Sequence, residues 1–414
     1  MNIEIISIGD ELLIGQVVNT NASWISSELN ENGFTVGYIS TVGDCGDEIK
    51  NSLDIALNRA EVILLTGGLG PTKDDITKKV LAEYFGGKLV LNNQVLEDVN
   101  HFLSKRGVKI NELNRNQALV PDNAVAIRNR MGTAPILWFE RSGKVVVSMP
   151  GVPSEMKLSM TEDIIPRLKE KFQQSTVIHK TTLIHSIPES ELAEMLSDWE
   201  ESLPSELSLA YLPSPGKMRL RISTVSNSYN DSITLINSEI EKLENIVGDN
   251  IYGYEDKIPS VLLFEKLTEL DKTISFAESC SGGLMSHQIT LQPGASAIFK
   301  GSVVAYSNDL KVSSLGVSAD DIEKYGAVSK QVVEQMATNI RKKTGSDYAI
   351  AISGIAGPTG GENKEIGTVW IAWAFKDGSV SRCFNFGSYS RERVINRSAD
   401  SAFIHLLQKL NGKV

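Results

Sequence analysis

With 414 residues, 41% of them hydrophobic and 22% charged, the chain has the make-up of a folded protein with two or three cores, not that of a disordered polymer. Its formal net charge of -10, from 51 acidic and 41 basic residues, argues against generic nucleic-acid binding, because that affinity rests on Lys and Arg neutralising phosphates. Only Cys45, Cys280 and Cys383 are present, without paired spacing, which excludes a disulfide framework or structural zinc site, and neither a secretory leader nor a membrane-length apolar run is visible; a cytoplasmic protein with no membrane contact is expected.

Residues 1 to 170 alternate strand-like and helix-like segments, the pattern of an α/β sheet covered by helices. NIEIISIG reads as a strand, NASWISSELNENG as a helix ending at Gly33, FTVGYISTVG as a strand, DEIKNSLDIALNRA as a helix capped by Asp44 or Asp47, and EVILLTGG as a buried strand. Residues 175 to 255 read instead as a small α+β unit. A strand (TVIHKTTLIHSI) and a helix (PESELAEMLSDWEESLP) are followed by a strand or hairpin (LSLAYLPSPGKMRLRISTVS) and a second helix. Its Lys217, Arg219 and Arg221 alternate along one strand face, as a solvated face does. Residues 252 to 260 mark a boundary, with Pro259 at a helix start. Beyond it the α/β pattern resumes through KTISFAES, GGLMSHQITLQ, GSVVAYS, KQVVEQMATNIRKK, DYAIAIS and GTVWIAWAF to a closing helix, SRERVINRSADSAFIHLLQKL.

In FAESCSGGLMSHQIT, residues 276 to 290, a strand gives way to a helix within a few positions. Free helix N–H groups therefore lie beside Ser279 and Ser281, either as an anion or oxyanion site or simply as an N-cap with glycines that permit close packing. A serine nucleophile needs a base, and neither His287, two turns on, nor His405, deep in the last helix, is well placed. Lysine and tyrosine can serve instead, and Tyr306 stands at the next strand's end with Lys311 five residues later. Strand C-termini share one edge of a parallel sheet, so Ser279 and Tyr306 should face one crevice. Cys280 remains a rival nucleophile, since a helix N-terminus lowers a thiol pKa. A third loop, ISGIAGPTGGENKEIGT, leaves its strand through Ser353, and Gly354, Gly357, Gly360 and Gly361 let backbone amides approach a phosphate or ribose.

Near the start, SIGDELLIGQVVNTN and LLTGGLGPTKDDITKK each follow a strand. The second joins a glycine turn to Thr72, Lys73, Asp74 and Asp75 at a helix start, a setting for a phosphate. Asp10, Glu11, Asp74 and Asp75 could hold Mg²⁺ or another divalent metal against a diphosphate, or could simply cap helices.

From about residue 260 onward, AESCSGG, PGASAIFKGSVVAYSNDLK, SGIAGPTGG and GTVWIAWA resemble the C-terminal domain of the CinA family. The resemblance implies deamidation of nicotinamide mononucleotide without a metal. Ser279 would be the nucleophile, Lys311 with Tyr306 would accept and relay its proton, and Ser353 and Arg393 would support the substrate or the lysine. Ser281, Gly282, Gly283, Gly354 and Gly357 would contact the substrate, and Cys280 would be a bystander. Where Ser281 and Ser353 stand the family more often has threonine, so slower chemistry is expected.

Similarly, GDELLIGQVVNTN, GGLGPTKDD, MGTAP and MPGVPSEM resemble the molybdopterin-binding fold and, more closely, the amino-terminal CinA domain. This implies an ADP-ribose pyrophosphatase that holds its substrate through Asn19, Gly67, Gly68, Gly70 and Thr72, and its metal through the four carboxylates. Ile136 replaces the family's usual glycine there and makes this activity less expected than deamidation. The middle segment would be KH-like, without a G-x-x-G clamp and hence without RNA. The expected architecture is α/β, two α/β sandwich domains (1–172 and 255–414) joined by a small α+β KH-like domain (173–254). The expected protein is a bifunctional pyridine-nucleotide salvage enzyme acting on small nucleotides, and a homodimer. The alternatives are a non-catalytic molybdopterin-binding or competence-related adaptor and, more weakly, a peptidase-like serine hydrolase.

Overall fold

Alternating isoleucines in the strand Asn2–Ile8 decide how the first sheet is covered: Ile3 and Ile5 enter one hydrophobic cluster, Ile6 and Ile8 another on the opposite face. The computed structural model describes residues 1–72, 74–172, 176–226, 228–361 and 364–412, so Lys73 lies outside the described residues. The chain divides into two units, Met1–Ile178 with Thr224–Ile233, and His179–Ser223 with Thr234–Val414.

The first unit holds a six-stranded sheet in the order Thr35–Val42, Asn2–Ile8, Val62–Thr66, Lys144–Met149, Ile136–Arg141, Val125–Ile127. Its first four strands are parallel and the last two antiparallel. The helix Thr20–Glu31 is capped by the Asn19 side chain and ends before Gly33, whose φ is +85°. The helix Gly46–Arg59 follows Cys45 with no side-chain cap. Neither Asp44 nor Asp47 plays the expected capping role, because the Asp44 carboxylate accepts from the Asp10 amide instead.

In the second unit a five-stranded sheet runs Phe299–Val304, Ile274–Glu278, Tyr348–Gly354, Thr368–Phe375, Gly378–Asn385. The first three are parallel, so their C-terminal ends share one edge, and the last two form an antiparallel extension. Apolar clusters cover both faces, one built on the helices Pro259–Glu269 and Arg391–Leu410, the other on Lys330–Thr344.

The small α+β segment is a four-stranded sheet ordered Leu207–Ser214, Lys217–Ser226, Thr176–His185, Ile251–Tyr254, with the helices Glu189–Glu201 and Tyr229–Val247. The ambiguous stretch is a hairpin, and Ile251–Tyr254, read only as a boundary, is a strand paired antiparallel to the strand Thr176–His185. Residues 179–223 share a unit with the C-terminal segment because Leu183, Tyr252 and Ile404 form one cluster, Lys217 pairs with Asp400 at 2.5 Å, and Gln408 donates to the Asp249 carbonyl at 2.7 Å. Arg219 pairs with Asp256, so two of the three alternating basic residues are tied to acids.

Candidate active site

Lys311 has a helical neighbourhood that would suit an exposed side chain, yet it is only 2% exposed. Its helix, Asn308–Leu315, is capped by Ser307, and its amine points under the end of the neighbouring strand Ile274–Glu278. There Nζ lies 3.2 Å from Ser279 Oγ, 3.0 Å from the Ala305 carbonyl oxygen and 3.4 Å from that of Tyr306. Ser279, 8% exposed, is fixed by its amide, which donates to the Ile352 carbonyl on the adjacent strand. Both side chains line a cavity of about 310 Å³ at the shared strand edge, together with Tyr306, Ser353 and Gly354 to Gly357. This is the crevice expected from the parallel topology.

Several expected roles change. The Tyr306 hydroxyl does not meet Lys311: it accepts from Arg391 Nη2 at 2.8 Å, and only the Tyr306 carbonyl faces the amine. Ser353 is buried beside the cavity but donates to the Ala327 carbonyl at 2.8 Å, so it holds the wall. Gly354 packs rather than binds, since a Cβ there would lie 2.6 Å from Val369 Cγ2. Gly357, at φ +90°, presents its carbonyl to Arg391 Nη1 at 2.6 Å.

Arg393 is absent from the cavity wall and Arg391 is present. Ser390 caps the last helix by accepting from the Arg393 amide, which makes Arg391 the first helical residue. Residues two apart on a helix project about 200° from each other, so Arg393 turns away and lies 3.9 Å over the Tyr389 ring. The sequence signal that could have chosen between them was the Ser cap itself.

The expected anion site at Ser281, Gly282 and Gly283 is already filled. Glu278, wholly buried, accepts from the Ser281 hydroxyl at 2.7 Å and the Gly283 and Met285 amides at 3.0 and 3.2 Å. It also accepts from the Ser286 amide and hydroxyl at 3.0 and 2.5 Å. The helix Leu284–Thr290 therefore spends its free N–H groups on an internal carboxylate, which fixes the turn that carries Ser279. An acid ending an otherwise apolar strand was the signal overlooked. Cys280 is buried in the same turn, and burial pushes its thiol up to about 12, so it is a poor nucleophile near neutrality. His287 is exposed, and His405 stacks on Trp373.

The glycine turn of the first unit follows the same logic. Asp75 accepts from the Gly70 amide at 2.8 Å, the Thr72 amide at 2.9 Å and the Thr72 hydroxyl at 2.5 Å, so an internal carboxylate occupies the place read as a phosphate cradle. A Cβ on Gly67 would meet the Ile8 carbonyl at 2.2 Å and one on Gly68 would meet Thr77 Oγ1 at 2.1 Å, so close packing requires both glycines. Asn19 donates to Ser7 Oγ at 2.9 Å as well as capping its helix. Asp10 and Asp44 exchange amide-to-carboxylate bonds at 3.2 Å, while burial and the field of Asp10, Glu11 and Asp74 raise the Asp44 pKa. Among the described residues no three His, Cys, Asp or Glu side chains converge as metal ligands. Asp10, Glu11, Asp74 and Asp75 thus do not assemble as the expected set, because Asp75 is held by its own loop. Ile136 is wholly buried in a core cluster.

Three family models match in chain order: "Probable molybdopterin binding domain" over residues 4–170, "Damage-inducible protein CinA KH domain" over 179–253, and "CinA C-terminal domain" over 258–410. The chain is 44% identical over 405 residues to a CinA-like protein of Flavobacterium psychrophilum, covering 97% of each. It is 43% identical to a CinA-like protein of Cytophaga hutchinsonii, covering 90% of this chain and 89% of the other. A CinA superfamily protein of known structure from Klebsiella pneumoniae is 33% identical over 37% of this chain and 96% of its own, with a TM-score of 0.36. Among the described residues no helix is long and apolar enough to cross a membrane.

Proposed function

Because the chain belongs to the CinA family, we propose that its C-terminal cavity hydrolyses the carboxamide of nicotinamide mononucleotide, with Ser279 as nucleophile and Lys311 as its base. The observation that carries this reading is the buried 3.2 Å approach of Lys311 Nζ to Ser279 Oγ.

In the proposed cycle Lys311 Nζ takes the hydroxyl proton as Ser279 Oγ bonds to the carboxamide carbon. Collapse of the tetrahedral adduct breaks the C–N bond, and Lys311 returns the proton so that ammonia leaves. Water then attacks the acyl ester as Lys311 accepts its proton, and Lys311 passes that proton to Ser279 Oγ as the Oγ–carbon bond breaks, which frees nicotinic acid mononucleotide and restores both side chains. The Ala305 and Tyr306 carbonyls aim the amine at Oγ in every step. Arg391 supplies the cavity with a cation for the substrate phosphate, and its planar fork is already oriented by Gly357 and Tyr306. Ammonia release from the wild type and from Ser279→Ala and Lys311→Ala variants tests the assignment.

A second reading, ADP-ribose hydrolysis in the first unit, is favoured by one observation. Among the described residues, Thr77 Oγ1 and Asn21 Oδ1 are buried without hydrogen-bond partners beside the Gly67–Gly68 turn. AMP formation from ADP-ribose, with and without added Mg²⁺, tests it. A protein that binds both nucleotides and turns over neither would be the adaptor.

A further inference from the structure

Outside the Ser279 cavity, the second unit has a cleft of about 680 Å³. It lies between the hairpin turn at Ser214 to Lys217, the end of the strand Gly378–Asn385 and the helix Arg391–Leu410. Arg393 and Arg397 face it from one side of that helix, as residues four apart do, and they also line a smaller hollow of about 310 Å³ that continues it. Arg393 is exposed and Arg397 half-buried. Their guanidiniums lie 3.9 and 5.8 Å from the centre of the same Tyr389 ring, and Arg397 is also 5.1 Å from that of Phe386. The turn glycine Gly216 sits against Arg397, where a Cβ would be 3.1 Å from Nη2.

Among the described residues neither guanidinium has a carboxylate within ion-pair distance. Asp400, in the same wall, is taken by Lys217, and Glu189 and Glu392 line the hollows without reaching either arginine. Two like charges held side by side repel, and burial together with Arg393 lowers the Arg397 pKa. Such a pair is relieved by an anion, and the guanidinium fork matches a phosphate. The floor adds an aromatic wall, Phe384 and Phe386 stacked at 5.5 Å, and the volume is that of a small-molecule site.

We infer that this cleft is a second ligand site, taking a nucleoside phosphate whose phosphate lies on Arg393 and Arg397 and whose base lies against Phe384 and Phe386. It is separate from the Ser279 cavity, which Arg391 serves from the opposite side of the helix. The inference stands whether or not that cavity is an amidase.

The test is calorimetric titration of the full chain with AMP and with inorganic pyrophosphate at low salt, using wild type, Arg393→Glu, Arg393→Gln/Arg397→Gln and Arg391→Gln. Arg393 is exposed, so Arg393→Glu leaves the fold intact, and a thermal melt checks this for each variant. The expected result is an AMP site that pyrophosphate competes for. Arg393→Glu and the double variant should weaken it by about ten-fold or more, the scale of one charge-assisted phosphate contact, and Arg391→Gln should not. No AMP binding, pyrophosphate binding without AMP binding, or an isotherm unchanged by Arg393→Glu would each overturn the inference. So would loss of the AMP site in Arg391→Gln alone.

Discussion

Lys311 Nζ approaches Ser279 Oγ to 3.2 Å from a helix 32 residues further along the chain, and both groups are buried. A buried lysine costs stability through desolvation even where two backbone carbonyls and a hydroxyl accept from it. Lys311→Met should therefore abolish amide hydrolysis, by ~1000-fold or more, while the midpoint of thermal unfolding stays level or rises. Parallel assays of rate and melting check this, and a strongly lowered melting point would show the amine to be a structural support.

Glu278 gathers five donors from the turn behind Ser279. Glu278→Ala strands those amides in a buried setting and is expected to cost about 2–4 kcal/mol of stability, with activity lost as Ser279 shifts. Urea unfolding measures the first effect. Glu278→Gln keeps the shape and should recover part of the stability.

Cys280 is expected to be chemically silent. With its thiol pushed up to about 12, iodoacetamide at pH 8 should label the exposed Cys45 and Cys383 and spare Cys280 in the folded protein, as read by peptide mass spectrometry. Cys280→Ala should retain activity within about three-fold, a result that a cysteine nucleophile could not give.

Arg391→Ala should raise KM for nicotinamide mononucleotide by about ten- to hundred-fold and change kcat less, because the proposed phosphate contact is made in ground and transition states alike. Arg393→Ala should leave both constants within about three-fold, since that side chain faces elsewhere.

His185 and His405 pack with ring centres 5.8 Å apart, near Arg382. Burial, then His405 and Arg382, lower the His185 pKa to about 4, and burial lowers that of His405 as well. The unfolded chain takes up these protons near pH 6.5 and the folded chain resists them, so the native state is fully favoured above 6.5 and loses stability as pH falls towards 4. For His185 the loss is at most about 3 kcal/mol. Melting curves at pH 7.5, 6 and 5 should show it, and His185→Phe should flatten the slope.

Much of this was legible in the chain. The strand and helix order, the shared crevice of Ser279 and Tyr306, and the place of Lys311 in that order follow from apolar periodicity and parallel topology, which are local or nearly so. What was not legible was where hydrogen bonds close. Glycine turns at 67–70 and 281–283 carry the composition of anion sites, and only the fold reveals that Asp75 and Glu278 already fill them. Arg391 and Arg393 are equally good candidates until the Ser390 cap fixes the phase of the helix. The strand Gly378–Asn385, with a mixed burial pattern and no bounding proline, has too weak a signature to be read alone.

The most direct measurement is ammonia release from nicotinamide mononucleotide by wild type, Ser279→Ala and Lys311→Ala, with folding matched by circular dichroism. The account predicts turnover in the wild type alone. Full activity in Ser279→Ala, or no turnover by the wild type, would contradict the serine-lysine assignment and leave the cavity as a binding site.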